Sequence, residues 1–586
     1  MTPDSGAPLD THGGGVPMQA RQAPVPEQAD AAVRDAAPGR RRLVVAGNGM
    51  AGARAIEEVL SRGGDELFDI TVFGAEPYGN YNRILLSNVL SGKDDAAGIF
   101  INPLEWYEEN AITLHAGVRA AAIDRAARTV TGANGVVVPY DVLLIATGSR
   151  SFIPPLQGLN DASGAMRPGV FGFRTLDDCA AIIAAAGTSR KAVVIGGGLL
   201  GLEAARGLMN HGCEVHVVHL GTHLMEAQLD APGGAILRTQ MEAMGVRIHL
   251  AASTTAILGE DRVTGVAFKD GTTLDCDMVV ISAGVRANVE LGRECGLAVE
   301  RAILVDDAMR SVDDPAVYVV GECAQHRGRV YGLVSPLWEQ ARVFADHVTG
   351  VDPDAAYTGS KLATKLKVMG VELASMGQTE PTDENDEVVQ FTEPRRGTYK
   401  KLIVRDGRLV GGILMGDISK AAYLMQAYDR DSPLPHERLS LLFDIGGPPQ
   451  AVTLDEMPAD AQVCNCNGVS KATLGACVEA GERDPKAVMA ATRAGMGCGS
   501  CKTLVGEVVA WFAARADADA PADEGTVSLV PRMVDGQIEV EELLRIGEVA
   551  KKYNVARVRL TEGRRIDFAG LSAEDGALLR AELEQA

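Results

Sequence analysis

Residues 42–55 read RLVVAGNGMAGARA and residues 191–204 read KAVVIGGGLLGLEA, so one pattern occurs twice in the chain. Each copy has a short apolar strand, a G-x-G-x-x-G loop and the start of a helix rich in alanine and leucine. Glycine is required because a side chain would block the turn, the approach of a pyrophosphate, or helix–strand packing, and the helix N-terminus offers N–H groups to phosphates. Two copies in this context predict two dinucleotide-binding domains. The glycines are Gly47, Gly49 and Gly52, then Gly196, Gly198 and Gly201.

The length and composition indicate a multidomain protein with an acidic charge balance. A chain of 586 residues exceeds one hydrophobic core and predicts roughly three to five domains. A formal net charge of −22 argues against nucleic acid or an anionic membrane surface as the main partner. No apolar run approaches the ~20 residues that span a bilayer.

The first forty residues are rich in proline, glycine, alanine and glutamine. They contain no apolar signal-peptide core, so we expect a disordered tail. The chain is therefore predicted to be cytoplasmic, where structural disulfides are rare. Its ten cysteines are then expected to be reduced thiols or metal ligands.

The residue that ends the second strand of each dinucleotide fold indicates what the site binds. An acid about 20 residues after the glycines pairs with ribose hydroxyls. In the first copy, DITVFGAEPYGNYNR (69–83) supplies Glu76. In the second copy, CEVHVVHLGTHL (213–224) ends its strand with His219, where an acid would indicate NAD and an arginine NADP. The sequence leaves the choice between NADH and NADPH open.

Three further buried strands complete the pattern: YDVLLIATGSR (140–150), DMVVISAGVRANVEL (277–291) and DPAVYVVGECAQHRG (314–328). With the glycine loops, they resemble the pyridine-nucleotide-dependent flavoprotein reductases. The resemblance implies an α/β fold with FAD on the first loop and NAD(P)H on the second. It also implies that Gly321 and Glu322 reach the flavin ribityl chain and phosphate, although the family usually has aspartate at the second position.

The same resemblance assigns further residues around the flavin. It implies FAD contacts for Thr147 and Gly148 and, through the segment YNRILLS (81–87), for Arg83. Ferredoxin-reductase members often carry lysine where this chain has Asn88. Glu203 matches a position near the nicotinamide and is our candidate catalytic residue; the alternative is an acid favoured by the helix dipole.

The flavin region contains no dithiol of the kind that disulfide reductases use. Its cysteines stand singly and are typical of packed core residues, so electrons are expected to leave the flavin by another route. They are Cys179, Cys213, Cys276, Cys295 and Cys323.

Two cysteine pairs near residue 480 predict a four-thiolate metal site. Cys464 and Cys466 form C-x-C, and Cys498 and Cys501 form C-x-x-C, with two short helical patterns between the pairs and an apolar helix after them. Zinc accepts four cysteines but usually with C-x-x-C at both ends. The tighter first pair and the nearby glycines favour a cluster whose sulfides need N–H donors. Residues 460–512 resemble the [2Fe–2S] domain of bacterioferritin-associated ferredoxin.

Residues 536–586 predict a helix, a strand and a second helix, and they resemble the ferredoxin-like half-domain of sirohaem nitrite and sulfite reductases. Most of residues 41–586 resemble the N-terminal portion of NAD(P)H nitrite reductase large subunits and the electron-transfer subunits of assimilatory nitrate reductases. No cysteine follows Cys501, so we expect no sirohaem-linked [4Fe–4S] site. Arg564 and Arg565 are interpreted as solvated charges or a docking surface.

The predicted organisation has eight parts. They are a disordered tail (1–40), an FAD-binding domain (41–150 and 300–350), an NAD(P)-binding domain (151–299), an α+β interface domain (355–445), a linker (446–462), a [2Fe–2S] domain (463–513), a second linker (514–535) and the half-domain (536–586).

The resulting hypothesis is an electron-transfer flavoprotein that passes electrons from NAD(P)H through FAD and a [2Fe–2S] cluster to a separate reductase. Nitrate reductase is the first expected acceptor and nitrite reductase the second. One alternative is a self-contained ferredoxin- or rubredoxin-type reductase with a structural zinc domain. Another is a redox-sensing interaction subunit. The sequence does not give the oligomeric state.

Overall fold

The computed structural model describes residues 39–443, 454–455, 457–464, 467–496, 499, 501–519, 527–529, 540–555, 557–561, 565–569 and 571–584. The predicted tail and both predicted linkers lie wholly or partly outside these residues. Cys466 and Cys498 lie outside them as well.

The first glycine motif lies in an eight-stranded sheet with a parallel centre. The strand Arg41–Ala46 pairs in parallel with Phe68–Gly74 on one side and with Val142–Ile145 on the other. From Leu43 onward this strand is fully buried, because a parallel sheet is covered on both faces. In spatial order the strands are Ala324–His326, Ile303–Val305, Arg310–Ser311, Asp314–Val319, Val142–Ile145, Arg41–Ala46, Phe68–Gly74 and Thr113–Ala116.

The second glycine motif lies in a separate, five-stranded parallel sheet. The chain passes from the first sheet to the second and back, so the strands after residue 300 complete the first sheet. In spatial order the strands are Val170–Gly172, Met278–Ile281, Lys191–Ile195, Glu214–Val218 and Arg247–His249.

Helices cover these two sheets. The helix Met50–Leu60 packs against Val334–Thr349, which ends at Gly350 in the left-handed conformation. The helix Leu176–Ala186 begins with a capping box between Thr175 and Asp178, which satisfies two of its free backbone N–H groups. The remaining helices of this region are Gly64–Leu67, Leu86–Leu90, Leu104–Glu109, Leu199–Asn210, Ala231–Ala243 and Glu290–Glu294.

A third sheet follows and is antiparallel throughout. The helix Ala421–Asp429 packs on one face. A buried ion pair joins this unit to the second glycine domain: Lys401 Nζ lies 2.7 Å from Asp230 Oδ2, and both side chains are almost completely buried. In spatial order the strands are Ala363–Val368, Val371–Gly377, Arg408–Met415, Thr398–Arg405 and Glu387–Glu393.

The cysteine-containing region is a small helical unit with a short hairpin. Ser470 and Asp484 are the N-cap residues of its first two helices, and their side chains accept hydrogen bonds from backbone N–H groups. Short polar side chains are preferred at this position because they satisfy these N–H groups. The hairpin strands are Gln462–Cys464 and Val469–Ser470, and the helices are Lys471–Glu479, Pro485–Thr492 and Lys502–Asp519.

The C-terminal region contains more strand than the sequence pattern predicts. The single predicted strand is a hairpin of Arg557–Thr561 and Arg565–Ala569, and Val527–Leu529 pairs with the second strand. Only three residues separate the two strands, so the sequence pattern reads as one strand. The flanking helices, Val540–Lys552 and Ala573–Glu584, agree with the prediction.

Four smaller sheets complete the strands that the structure describes. Among the described residues, no helix combines the length and the apolar character that crossing a bilayer would require. The remaining strands are Asn80–Tyr81 with Phe100–Asn102, Ser149–Ser151 with Val285–Ala287, Ala120–Asp124 with Thr129–Gly132 and Val137–Pro139, and Thr254–Leu258 with Gly265–Phe268 and Thr273–Asp275.

Candidate cofactor and cluster sites

The first glycine loop has the geometry that a bound pyrophosphate needs. Gly47 has φ +123°, and a Cβ there would lie 2.2 Å from the carbonyl oxygen of Ala146, which directly follows the neighbouring strand. A Cβ on Gly52 would lie 2.1 Å from the Gly47 carbonyl oxygen, whereas none of the described atoms lies within 4 Å of the Cβ position on Gly49. The outer glycines therefore close the strand–helix junction, and the middle glycine keeps the backbone open to a ligand.

The second loop repeats this arrangement. Gly196 has φ +131°, and a Cβ there would lie 2.1 Å from the carbonyl oxygen of Ser282. A Cβ on Gly201 would meet the Gly196 carbonyl oxygen at 2.1 Å, and the Cβ position on Gly198 is again open among the described atoms. Neither helix has a side-chain cap, so backbone N–H groups remain available to phosphate oxygens.

Glu76 and Arg83, both predicted FAD contacts, are paired in the structure. Arg83 Nη2 donates a hydrogen bond to Glu76 Oε1. The Tyr81 hydroxyl donates to Glu76 Oε2 at 2.7 Å. Arg83 also donates to the Arg174 carbonyl oxygen at 3.1 Å. The two predicted residues therefore form one charged cluster beyond the second strand.

Glu322 is held by a residue that the sequence analysis missed. Arg174 forms an ion pair with Glu322, and Ser149 Oγ donates to the same carboxylate at 2.6 Å. Arg174 Nε is buried and has no hydrogen-bond partner among the described residues. Beside Glu322, Gly321 has φ +91°, and its N–H donates to Gln340 Oε1 at 2.9 Å.

Thr147 and Gly148 lie where the chain passes between the two glycine domains. Thr147 Oγ1 donates to the Asn288 carbonyl oxygen at 2.9 Å, and Asn288 Nδ2 donates to the Thr147 carbonyl oxygen at 2.8 Å. The Asn288 N–H also donates to the Gly148 carbonyl oxygen at 2.9 Å. These bonds hold the outgoing and returning crossovers side by side.

Glu203 lies in the helix that follows the second glycine loop. Burial raises the pKa of its carboxyl to about 7, while a hydrogen bond from Ser87 lowers it. An acid whose pKa lies near neutrality exchanges protons readily, and such groups cluster at functional sites.

His219 occupies the strand-end position where an acid was expected. The Gly197 N–H donates to His219 Nδ1 at 3.1 Å, so the ring proton lies on Nε2. Glu226 Oε2 is 3.7 Å from this Nε2. Burial lowers the pKa of His219, which favours the neutral ring. A carboxylate is therefore present at this strand end, although it comes from a residue further along the chain.

The structure describes two of the four predicted cluster ligands. Cys464 ends the first hairpin strand and is fully buried, and the Gly495 N–H donates to its sulfur at 3.5 Å. Cys501 directly precedes the helix Lys502–Asp519. An N–H donor to a buried thiolate fits an iron–sulfur ligand. Among the described residues, no three metal-ligating side chains meet, since the other two predicted ligands lie outside them.

One cavity of about 2360 Å³ brings the predicted groups together. Asn48 also lines it and was missed from the sequence: its Nδ2 is buried and has no hydrogen-bond partner among the described residues. Asn48 lies between two glycines of the first loop. A polar residue at that position was the sequence feature from which it could have been predicted. The predicted residues that line the cavity are Gly47, Gly49, Glu76, Arg83, Thr147, Gly148, Glu203, Glu322 and Cys501.

The cavity and its surroundings fit the predicted cofactors. An open glycine loop with a free amide donor suits the pyrophosphate of a dinucleotide, and a buried sulfur with a backbone donor suits a cluster. The remaining predicted residues Gly52, Gly196, Gly198, Gly201, Gly321 and Cys464 lie outside the lining.

Four family models match successive parts of the chain. They are a pyridine nucleotide-disulphide oxidoreductase (41–343), a rubredoxin NAD+ reductase C-terminal domain (363–431), a BFD-like [2Fe-2S] binding domain (462–511) and a nitrite/sulfite reductase ferredoxin-like half domain (520–586). They confirm the predicted fold class and the predicted resemblance.

Curated relatives and solved structures agree. The chain is 38% identical to a nitrite reductase [NAD(P)H] from Bacillus subtilis, over 92% of this chain and 76% of the relative. It is 33% identical to an assimilatory nitrate reductase electron transfer subunit from the same organism, over 93% of this chain and 78% of the relative. A ferredoxin reductase from Rhodopseudomonas palustris matches with TM-score 0.61 and 26% identity, over 67% of this chain and 96% of that structure. The chain belongs to the pyridine nucleotide-disulphide oxidoreductase family and is an NAD(P)H-dependent FAD oxidoreductase with a BFD-like [2Fe-2S] binding domain.

Proposed function

We propose that this protein is a cytoplasmic electron-transfer enzyme that oxidises NAD(P)H and delivers electrons to a partner reductase of nitrate or nitrite assimilation. The observation that carries the proposal is that the proposed FAD glycine loop, Glu203 and Cys501 line one and the same cavity. Bound FAD accepts a hydride and releases single electrons, which a [2Fe–2S] cluster can carry.

The chain's own residues would bind and orient the cofactors. In this proposal Gly47, Gly49 and Gly52 admit the FAD pyrophosphate, and the carboxylate of Glu76 accepts from the ribose hydroxyls. Arg83 fixes Glu76 by its ion pair and adds a positive charge to the cavity wall. These roles follow from the openness of the loop and from the charge of its neighbours.

The flavin side of the site is assigned to the crossover segment and the returning strand. Thr147 and Gly148 place the backbone beside the flavin, and Gly321 allows the chain to approach it closely. Glu322, held by Arg174, would accept from the ribityl hydroxyls. Asn48 would supply its free amide to a phosphate oxygen.

The nicotinamide side is assigned to Gly196, Gly198, Gly201 and Glu203. The open middle glycine would admit the NAD(P)H pyrophosphate. Glu203 would border the nicotinamide, where its raised pKa lets it lie neutral or charged near pH 7. In this role it orients the ring and sets the local charge.

The four-thiolate site is assigned to Cys464, Cys466, Cys498 and Cys501. The backbone N–H of Gly495 stabilises the first of these sulfurs. Cys501 would place the cluster at the cavity that also holds the FAD loop.

The relatives' names direct the choice of acceptor. One is a nitrate reductase electron transfer subunit and another is a nitrite reductase, so we propose nitrate reductase as the first acceptor and nitrite reductase as the second. The half-domain matched at 520–586 would contribute to the contact with the acceptor.

The test is anaerobic reduction of the purified protein by NADH and by NADPH, followed by addition of each candidate reductase. We expect bleaching of the flavin and cluster absorbance, about two iron atoms per chain, and reoxidation only when an acceptor reductase and its substrate are present. Zinc without acid-labile sulfide would refute the relay.

One observation favours a second candidate function, a self-contained rubredoxin-type reductase. The third domain matches a rubredoxin NAD+ reductase C-terminal domain. Under this alternative the cysteine unit is structural, and Cys464→Ser leaves one-electron transfer to a rubredoxin unchanged. Under the first proposal the same variant loses it.

A further inference from the structure

The turn of residues 493–496 connects the cysteine unit to the FAD domain. Arg493 forms an ion pair with Glu57, which lies in the helix that follows the first glycine loop. Asn102 Nδ2 donates to the same carboxylate oxygen at 2.8 Å. The side chains of Arg493 and Glu57 are only 29% and 14% exposed, so solvent screens this pair less than a surface pair.

A second bond joins the same turn to the proposed flavin segment. Asn82 Nδ2 donates to the Met496 carbonyl oxygen at 2.8 Å, and Asn82 is almost completely buried. Its Oδ1 accepts from the Ile84 N–H at 3.1 Å, which caps the turn that begins at Arg83. The Asn82 side chain therefore caps a turn of the proposed flavin segment and also hydrogen-bonds to the cysteine unit.

The backbone of Arg493 is unusual for a residue with a side chain. Its φ of +60° is in the left-handed region, where it ends the helix Pro485–Thr492. Glycine or asparagine is the common choice there because other residues are strained. Asn467 Nδ2 donates to the Arg493 carbonyl oxygen at 2.5 Å, so the first cysteine loop holds the turn in place. An arginine in this strained position is explained by its contact with Glu57.

Another polar contact joins the cysteine unit to the third domain, and it is weaker. Arg430 of the third domain lies 2.7 Å from Asp460, but the Asp460 side chain is 81% exposed. An exposed pair of this kind contributes little. Among the described residues, the 493–496 turn therefore makes the stronger of these two polar contacts of the cysteine unit.

We infer that the Arg493–Glu57 pair and the Met496–Asn82 hydrogen bond dock the cysteine unit on the FAD domain and hold Cys501 at the shared cavity. This inference rests on the proposed function, since it assigns Arg493 and Glu57 as positioning residues for intramolecular electron transfer. It implies that electrons pass to the cysteine unit in a fixed, docked arrangement.

The test is a charge-reversal series in the full-length, cofactor-loaded protein: Arg493→Glu, Glu57→Arg and the double variant. The matched control is Lys486→Glu, which makes the same change of charge at an exposed position of the helix that Arg493 ends. The double variant can restore the pair in reverse. Asn102 Oδ1 has no hydrogen-bond partner among the described residues, so it can accept from the introduced guanidinium.

The first readout is docking itself, measured by small-angle X-ray scattering and by hydrogen exchange of residues 82–90. We expect each single reversal to increase the radius of gyration and to speed exchange roughly tenfold, since losing one partner of a partly buried pair costs about that factor. The double variant should recover at least part of both changes, and the control should match the wild type.

The second readout is a rate. In rapid mixing with NADH, flavin bleaching should be unchanged in every variant, while the later cluster bleaching should slow only in the single reversals. Flavin and iron contents equal to wild type verify folding. Single reversals that match the control, or a double variant that is no better than the singles, would overturn the inference. Failure of the proposed function would instead appear as no NADH bleaching in the wild type, whatever the scattering shows.

Discussion

Glu203→Gln tests the buried carboxyl beside the proposed nicotinamide site. Burial raises its pKa from the ordinary 4.5 to about 7. That rise corresponds to about 3 kcal/mol between the charged and neutral forms. Because the folded-state pKa is the higher one, the contribution of Glu203 to stability is intact below pH 4.5 and is lost as the pH rises through about 7.

The amide cannot ionise, so the variant escapes this cost. At pH 8 we expect Glu203→Gln to stabilise the cofactor-free protein by at most about 3 kcal/mol, because the side chain borders the cavity and is partly screened. For a domain of about 150 residues this is an increase in melting temperature of up to roughly 10 °C. At pH 5 most of the difference should vanish.

The assay is calorimetric melting of wild type and variant at pH 5 and pH 8. The matched control is Ser87→Ala, which removes the hydrogen bond that lowers the pKa of Glu203. It should destabilise the protein more at pH 8 than at pH 5, and this pH dependence should disappear in the double variant. Equal melting shifts for Glu203→Gln at the two pH values would refute the assignment of a raised pKa.

Three further predictions concern the other sites. Gly47→Ala should lower the melting temperature and the FAD content, because its Cβ would meet a backbone oxygen at 2.2 Å. Gly49→Ala should fold normally and lose mainly FAD affinity. An equal decrease in melting temperature in both variants would contradict this. Cys464→Ser should lose iron, whereas Cys477→Ser should retain it, because Cys477 is a half-buried residue within a helix. Iron and sulfide analysis measures both, and iron retained by Cys464→Ser would exclude Cys464 as a ligand. Glu226→Gln should raise the KM for NADH roughly tenfold with little change in kcat, because the variant loses a charge-assisted hydrogen bond to a ribose hydroxyl. If the ratio of kcat/KM for NADH to that for NADPH stayed unchanged, this carboxylate would not select the nucleotide.

Much of the fold follows from local sequence. Gly47 and Gly196 directly follow apolar strands, and a helix begins three residues after each of them, so these requirements act within about ten residues. Short-range patterns of this kind specify strand, turn and helix directly. The spacing of the cysteine pairs predicted a four-thiolate site for the same reason. The C-terminal hairpin was missed because only three residues separate its two strands.

The arrangement of the site was less accessible from sequence. Arg174 and Glu322 are 148 positions apart, and no local pattern connects them. Glu226 supplies the acid that the strand end lacks, since the chain returns past His219. The packing of the sheets and crossovers decides which side chains meet. A single ion pair contributes too little free energy to leave a recognisable pattern in the sequence.

The sequence by itself determined two nucleotide loops, a four-cysteine pattern and the order of the domains, because each depends on residues close together in the chain. Only the tertiary structure decided that the FAD loop, Glu203 and Cys501 share one cavity. It alone paired Arg493 with Glu57 across 436 positions. Contacts at that separation form only when whole domains pack together, and the free energy of that packing is spread over many side chains.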